Sequence, residues 1–179
     1  MNPVSDVQSP RISTGLGQTY SVAWADDRLP AASFHIYIQS YGYDVNGKPT
    51  PIAGNLRVDT TNNVHSAQSP SIANHPNQIS TTSTCSRLAW QDDRLNVGVK
   101  EHIYAQYMCS DGFRLFPNDL PVDQHPTDIS AANAVIVFQP SYEFAVAWQA
   151  ERTAGSTLQH DISLAFSVHS GYLKAINSR

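Results

Sequence analysis

An all-β chain of three tandem repeats is the fold class the sequence predicts, and three observations predict it. First, an apolar-Ala-Trp segment followed by an acid and Arg recurs: Val22-Ala23-Trp24-Ala25-Asp26-Asp27-Arg28, Leu88-Ala89-Trp90-Gln91-Asp92-Asp93-Arg94 and Val146-Ala147-Trp148-Gln149-Ala150-Glu151-Arg152. Second, the residues before each Trp alternate or run apolar with β-formers, and no segment carries a helical period. Third, a glycine turn follows each unit at Asn46-Gly47, Asp111-Gly112 and Ser170-Gly171. The tryptophans stand 66 and 58 residues apart, so one unit has roughly 60 residues, a repeat architecture.

Each unit is read in chain order. Its first element is Gln8-Ser9-Pro10-Arg11-Ile12, Gln68-Ser69-Pro70-Ser71-Ile72 and Gln124-His125-Pro126-Thr127-Asp128-Ile129. The proline fits a strand start, where no ladder donor is lost. The Trp segment is the second strand. The third is His35-Ile36-Tyr37-Ile38-Gln39, His102-Ile103-Tyr104-Ala105-Gln106 and Asp161-Ile162-Ser163-Leu164-Ala165. Asn-Gly and Asp-Gly tolerate the positive φ of a tight hairpin turn and lead into a fourth strand. Four short strands per unit is the content of a β-propeller blade. The expected organisation is one domain over residues 1–179, with blades at about 8–66, 67–123 and 124–179 and residues 1–7 as a blade-completing strand.

These units resemble a bacterial β-propeller repeat family with the pattern Pro-x-Ile, Ala-Trp-Gln-Asp-Asp-Arg, Asp-Ile-Tyr-Ala-Gln and Asp-x-x-Gly. They are more distantly similar to TolB-type propeller repeats. The resemblance spans about residues 4–174 and implies fold rather than function, since such repeats serve many roles. The chain departs from the pattern at His35 and His102, where the family carries Asp, and at Ala150-Glu151, where it carries Asp-Asp.

Composition narrows the function classes. Charged residues make up 15% of the 179 and the net charge is −4, against the usual quarter charged. No Lys/Arg cluster supplies the footprint a phosphate backbone needs, so nucleic acid is not expected as a partner. No apolar run is long enough to insert into a membrane, and Met1–Asp6 has neither the basic start nor the apolar stretch of a signal peptide.

The recurring residues are the ligand-binding candidates. Trp24, Trp90 and Trp148 offer sugar-stacking platforms, but one Trp at the same strand position in every copy is what packing between blades requires, and that reading is favoured. Asp27-Arg28, Asp93-Arg94 and Glu151-Arg152 offer charged forks for a carboxylate ligand. The competing reading, favoured because only acid-then-Arg survives in all copies, is a repeated structural brace. One His per blade at His35 and His102 does not make a metal site, so no metal and no cofactor is expected. No nucleophile elbow, phosphate loop or His-Glu-x-x-His motif is present, and no catalytic residue is assigned. Asp44, Asp59, Asp119 and Asp123 are candidates by composition only, placed in solvated loops. The variable stretches Gly47–Gln68 and Ile72–Thr84 are the candidate ligand loops.

If Trp90 lies opposite Tyr104, then Cys85 lies opposite Cys109, and a disulfide between them is expected beside the alternative of two free thiols. Three blades do not close a ring of the usual four to eight; a second chain completing six is expected, beside the alternative of a piece of a longer propeller. The functional expectation is a non-enzymatic binding module, extracellular or on the cell surface, recognising a glycan or protein partner through rim loops. The alternatives are a structural or assembly subunit of a surface or virion-like particle, and a carbohydrate-active enzyme.

Overall fold

In the computed structural model, residues 6–15, 17–28, 33–60, 64–75, 84–95, 100–123, 130–138, 143–154, 157–167 and 173–177 are described. Thirteen strands among them form three consecutive antiparallel sheets. The first holds β1 (Val7–Thr14), β2 (Tyr20–Asp26), β3 (His35–Tyr43) and an outer strand in two pieces, β4 (Pro49–Pro51) and β5 (Leu56–Arg57). The second holds β6 (Ala67–Asn74), β7 (Cys85–Asp92), β8 (His102–Cys109) and β9 (Leu120–Pro121). The third holds β10 (Ser130–Phe138), β11 (Phe144–Ala154), β12 (Thr157–Ser167) and β13 (Leu173–Asn177). No helix among the described residues is long and apolar enough to cross a membrane.

The first strands of the sheets, β1, β6 and β10, pack against one another and form the inner edge. Hairpin register sets the repeat: Trp24 lies opposite Tyr37, Trp90 opposite Tyr104 and Trp148 opposite Ser163. The same register puts Cys85 opposite Cys109, and the two are joined in a buried disulfide, Cα to Cα 3.9 Å. Gly47 and Gly112 turn the next hairpins at φ of 75° and 89°, a region only glycine enters freely.

Each inner strand carries one β-bulge, and the residue in it is left-handed: Ser9 (φ 54°), Ser69 (φ 50°) and Asn133 (φ 56°). Two expectations are corrected here. Pro10 and Pro70 do not start the strands; they follow the bulge residue inside β1 and β6, where the broken ladder needs no N–H. In the third unit Asn133 stands where Ser9 and Ser69 stand, so the landmark is Ala132-Asn133-Ala134; Gln124–Ile129, read for that role, lie outside the described residues. Val7, read as part of a blade-completing strand, pairs with Asp26 inside the first sheet, and residues 1–5 are not described.

Each sheet has a first face, which carries the Trp, and a second face. The first face of one sheet covers the second face of the sheet before it. Trp90, Leu88, Ile72, Tyr104 and Met108 pack on Ala23, Ala25, Ile36, Ile38 and Val58. Trp148, Val146, Ile136 and Phe144 pack on Ala89, Ile103, Ala105 and Val122. Backbone bonds stitch the same junctions, from Ala67 N to Phe34 O at 2.8 Å and from Ala131 N to Glu101 O at 2.7 Å. The ring is not closed.

Candidate functional site

The acid and Arg of each repeat sit at the upper end, where the second strand finishes. Asp26, not Asp27, receives Arg28: its carboxylate accepts the Arg28 side chain, the Arg28 backbone N–H at 2.9 Å and the Trp24 indole N–H at 3.1 Å. Asp92 does the same for Arg94, at 2.5 Å from Nη2 and 2.9 Å from the backbone N, and for Trp90 at 3.3 Å. The guanidinium then lies over the cross-strand tyrosine, 4.1 Å above Tyr37 for Arg28 and 3.9 Å above Tyr104 for Arg94. Burial would lower the Arg94 pKa, but hydrogen bonds to Asp92 and Asp119 outweigh it and raise it. Burial also pushes the Tyr104 phenol up to about 12.

The second acid has a separate task. Asp27 Oδ1 accepts the Asp6 backbone N–H at 2.6 Å, and Asp93 Oδ1 accepts that of Ser66 at 2.7 Å. Each fastens the entry of its own inner strand. The third repeat lacks the first acid because Ala150 occupies that position, and among the described residues the buried Trp148 indole N–H has no acceptor. Glu151 is part-exposed beside His160, and Arg152 lies in β11 opposite Gln159, its side chain not described. Trp90 and Trp148 are fully buried, while Trp24 is half-buried.

Three of the carboxylates read as loop residues are buried instead. Asp59 accepts from His35 Nδ1 at 3.0 Å and from the Ile36 backbone N–H at 2.7 Å. Asp123 accepts from His102 Nδ1 at 3.1 Å and from the Ile103 N–H at 3.0 Å. Asp119 bridges the junction, receiving Arg94 at 2.8 Å and the Thr60 N–H at 2.7 Å. The signal was in the sequence: Asn55-Leu56-Arg57-Val58-Asp59 matches Asp119-Leu120-Pro121-Val122-Asp123, a further repeat landmark. Within Gly47–Gln68, Pro49–Pro51 and Leu56–Arg57 form the outer strand and Asp59 braces it, while residues 61–63, like residues 76–83 of Ile72–Thr84, lie outside the described residues; of the four carboxylates only Asp44 is exposed, in a hairpin turn. The repeated Gln has a role too. Gln39 reaches the Ala53 carbonyl and Gln106 pairs with the Phe116 backbone at 3.0 and 3.2 Å, each clamping the outer strand where its ladder breaks. Among the described residues no group of three or more His, Cys, Asp or Glu is arranged to hold a metal.

What breaks the repeat is a chain of polar side chains at the upper end of the second and third sheets. Glu101 Oε2 accepts from Gln91 Nε2 at 2.6 Å, and Gln91 Oε1 accepts the Asn133 backbone N–H at 3.3 Å. Asn133 Nδ2 donates to Gln149 Oε1 at 3.2 Å. Gln149 Nε2 lies 2.8 Å from His160 Nδ1, which lies 3.3 Å from Glu151 Oε1. The matching positions in the first sheet are Ala25 for Gln91 and Gln149, and Phe34 for Glu101 and His160. Burial raises the Glu101 carboxyl pKa, and the charges of Asp93, Asp92 and Glu151 add to it against the hydrogen bond from Gln91. Asn133 and His160 are exposed and the other members part-exposed, so this run presents amides, carboxylates and an imidazole to solvent. Of these six only Glu151 was singled out from the sequence as a ligand candidate; aligning the three copies position by position would have shown Gln91, Glu101, Gln149 and His160 as polar residues where the first copy has Ala25 and Phe34.

A groove of about 760 Å³ lies elsewhere, at the lower end of the first sheet between Ile12, Thr14, Gln18, Tyr20 and Tyr43. It runs along the first face that no preceding sheet covers. Its position follows from that missing cover, so we place the candidate site at the polar chain.

No family model and no curated protein matches the chain. Several solved structures are similar to it, among them these two. One, a complex of BT0996 with RGII, has a TM-score of 0.53 and 11% identity over 96% of this chain and 56% of that one. The other, a high-resolution structure of Penicillium chrysogenum alpha-L-arabinanase complexed with arabinobiose, has a TM-score of 0.47 and 9% identity over 87% of this chain and 45% of that one. The chain thus spans about half the length of either. The first of these is a β-propeller-type fold, and with three face-packed sheets sharing an inner edge this chain is all-β and propeller-like.

Proposed function

We propose that the chain is a non-enzymatic, glycan-binding β-propeller module whose contact surface is the polar run from Glu101 to Glu151. The observation that carries this reading is a loss of repeat symmetry along the upper end: Ala25 and Phe34 give way to Gln, Glu and His in the second and third sheets. Amides and carboxylates fixed by one another present paired donors and acceptors, the groups sugar hydroxyls take up. A similar solved structure of this fold is a glycan complex, which supports the class of ligand. The Cys85–Cys109 disulfide supports an oxidising compartment, where glycans are met. The test is glycan-array screening followed by titration calorimetry on the best ligand. Gln149→Ala and Asn133→Gly, the latter keeping the left-handed bulge unstrained, are expected to weaken binding about tenfold each with little change in melting temperature. Full affinity in both variants removes the site, and no glycan binding removes the function.

A second reading has one observation in its favour. The raised Glu101 carboxyl beside the charge of Glu151 is the pairing of acid and carboxylate that glycoside hydrolysis uses. Reducing-end release from the bound glycan, abolished by Glu101→Gln while binding persists, would establish that reading over the first.

A further inference from the structure

The two end faces of the array are built like the halves of its internal junctions, and each is bare. On the first face of the first sheet, Ile12 is 65% exposed; its counterparts Ile72 and Ile136, covered by the sheet before, are 8% and 4% exposed. On the second face of the third sheet, Ile162 is 61% exposed; its counterparts Ile36 and Ile103 are both at 0%. Val135, Val137 and Leu158 extend that second bare face. Same residue, same register, same strand: only the missing neighbour differs.

From this we infer that the first face of one copy of this chain packs on the second face of another, reciprocally, closing a six-bladed ring across a twofold axis. The chain itself shows twice what covers a Trp-bearing first face. It is a second face with alanines on the second strand and apolar residues on the third, such as Ala89 with Ile103 and Ala105. The third sheet offers that surface through Ala147, Ile162 and Leu164. Charge agrees at the upper end, where Arg28 borders Trp24 on one face and Glu151 lies beside Gln149 and His160 on the other. Ring size agrees as well. Propellers close with about four to eight blades, and nearly all of this chain matches 56% of a similar solved structure in fold, leaving room for about one more copy. The groove between Ile12, Tyr20 and Tyr43 is then the seat of the partner's third sheet. Closure also removes two apolar faces that a soluble protein does not leave open. The inference does not rest on glycan binding, but the two share a face: Gln149, Glu151 and His160 lie at the upper rim of the junction, where their counterpart Gln91 stays part-exposed in the internal one.

The experiment is light scattering with size-exclusion chromatography on the 179-residue chain, with Ile12→Glu, Ile162→Glu and an equimolar mixture of the two. Both sites are exposed within one chain, so circular dichroism and melting should show each variant folded. The expected result is a species of twice the 19.6 kDa chain mass, with a dissociation constant raised about a hundredfold or more in each variant alone, as for a central interface residue. Mixing then restores a dimer, because one junction of the pair has both its faces intact. A folded monomer of the unaltered chain at micromolar concentration overturns the inference and assigns the faces to other blades. A dimer sensitive to only one substitution, or one not rescued by mixing, overturns it in favour of like-on-like pairing. Open polymers growing with concentration overturn the twofold closure.

Discussion

The junction between the first and second sheets is sealed by hydroxyls and an amide, whereas the one between the second and third is sealed by a guanidinium among rings. In the former, the Ser86 hydroxyl donates to Asn74 Oδ1 at 2.7 Å and lies 3.4 Å from the Ser21 hydroxyl, Ser21 meets Ser40 at 2.9 Å, and Asn74 reaches back to Ser13 at 3.0 Å. In the latter, Arg87 occupies the position of Ser21 and lies 4.1 Å over Phe144, 5.2 Å over Tyr107 and 5.5 Å over Phe138. Burial lowers its pKa to about 10, and among the described residues it has no carboxylate partner. Both junctions keep the same apolar frame of Trp, Ile and Ala. The frame sets how sheets stack; the positions beside it accept any chemistry that leaves few buried polar atoms unpaired.

The strongest way to test that division is to cut the frame. Trp90→Ala and Trp148→Ala should each cost roughly 3–5 kcal/mol in chemical denaturation, and Trp24→Ala, half-buried on the bare face, about half as much. Equal losses at all three would mean that covering by the preceding sheet contributes little. Opening the disulfide ranks next. With the cysteines 24 positions apart in sequence, a Cys85→Ser, Cys109→Ser double variant should lose about 3 kcal/mol; mass spectrometry of unreduced protein should find no alkylatable thiol.

The contrast between the junctions is sharpened by Ser86→Ala and Arg87→Met. The first strands Asn74 Oδ1 and should cost about 1–3 kcal/mol. The second trades ring contacts for relief of a desolvated cation and should fall within about 1 kcal/mol of neutral. Reversed magnitudes would show the guanidinium to be the stronger seal. A pH titration separates the braces. Burial would raise the Asp59 carboxyl, but hydrogen bonds from His35 and Arg57 overcome this and hold it below its ordinary 3.8. The stability it contributes is complete above that value and is lost as pH falls through its lower folded pKa. Asp59→Asn should therefore flatten the acid limb of the unfolding curve while leaving its slope near neutral pH unchanged. The smallest expected effect is a gain: Ala150→Asp supplies the acceptor that Trp148 lacks and should add about 1 kcal/mol.

The stacking of sheets was legible because Trp, Ile and Gly landmarks recur with little disguise. The inner bulge was legible in two copies and not in the third, because Asn133 reaches a left-handed φ without the Ser-Pro signature and so carries no matching letters. Asp59 and Asp123 looked like loop residues because a short outer strand leaves almost no periodic pattern; their burial comes from His35 and His102, distant in sequence. Most of the polar run escaped notice for the opposite reason to the tryptophans. Repeat reading rewards sameness, and Gln91, Glu101, Gln149 and His160 are set apart by differing from Ala25 and Phe34.

The backbone bonds from Ala67 to Phe34 and from Ala131 to Glu101 make each sheet a template for the next. Coupling of this kind is nearest-neighbour, and the chain should open as a row of linked units rather than all at once. The second sheet, held on both faces, then sets the slowest amide exchange, with protection falling toward either end. In a closed ring no end remains, and the gradient would collapse to a single value.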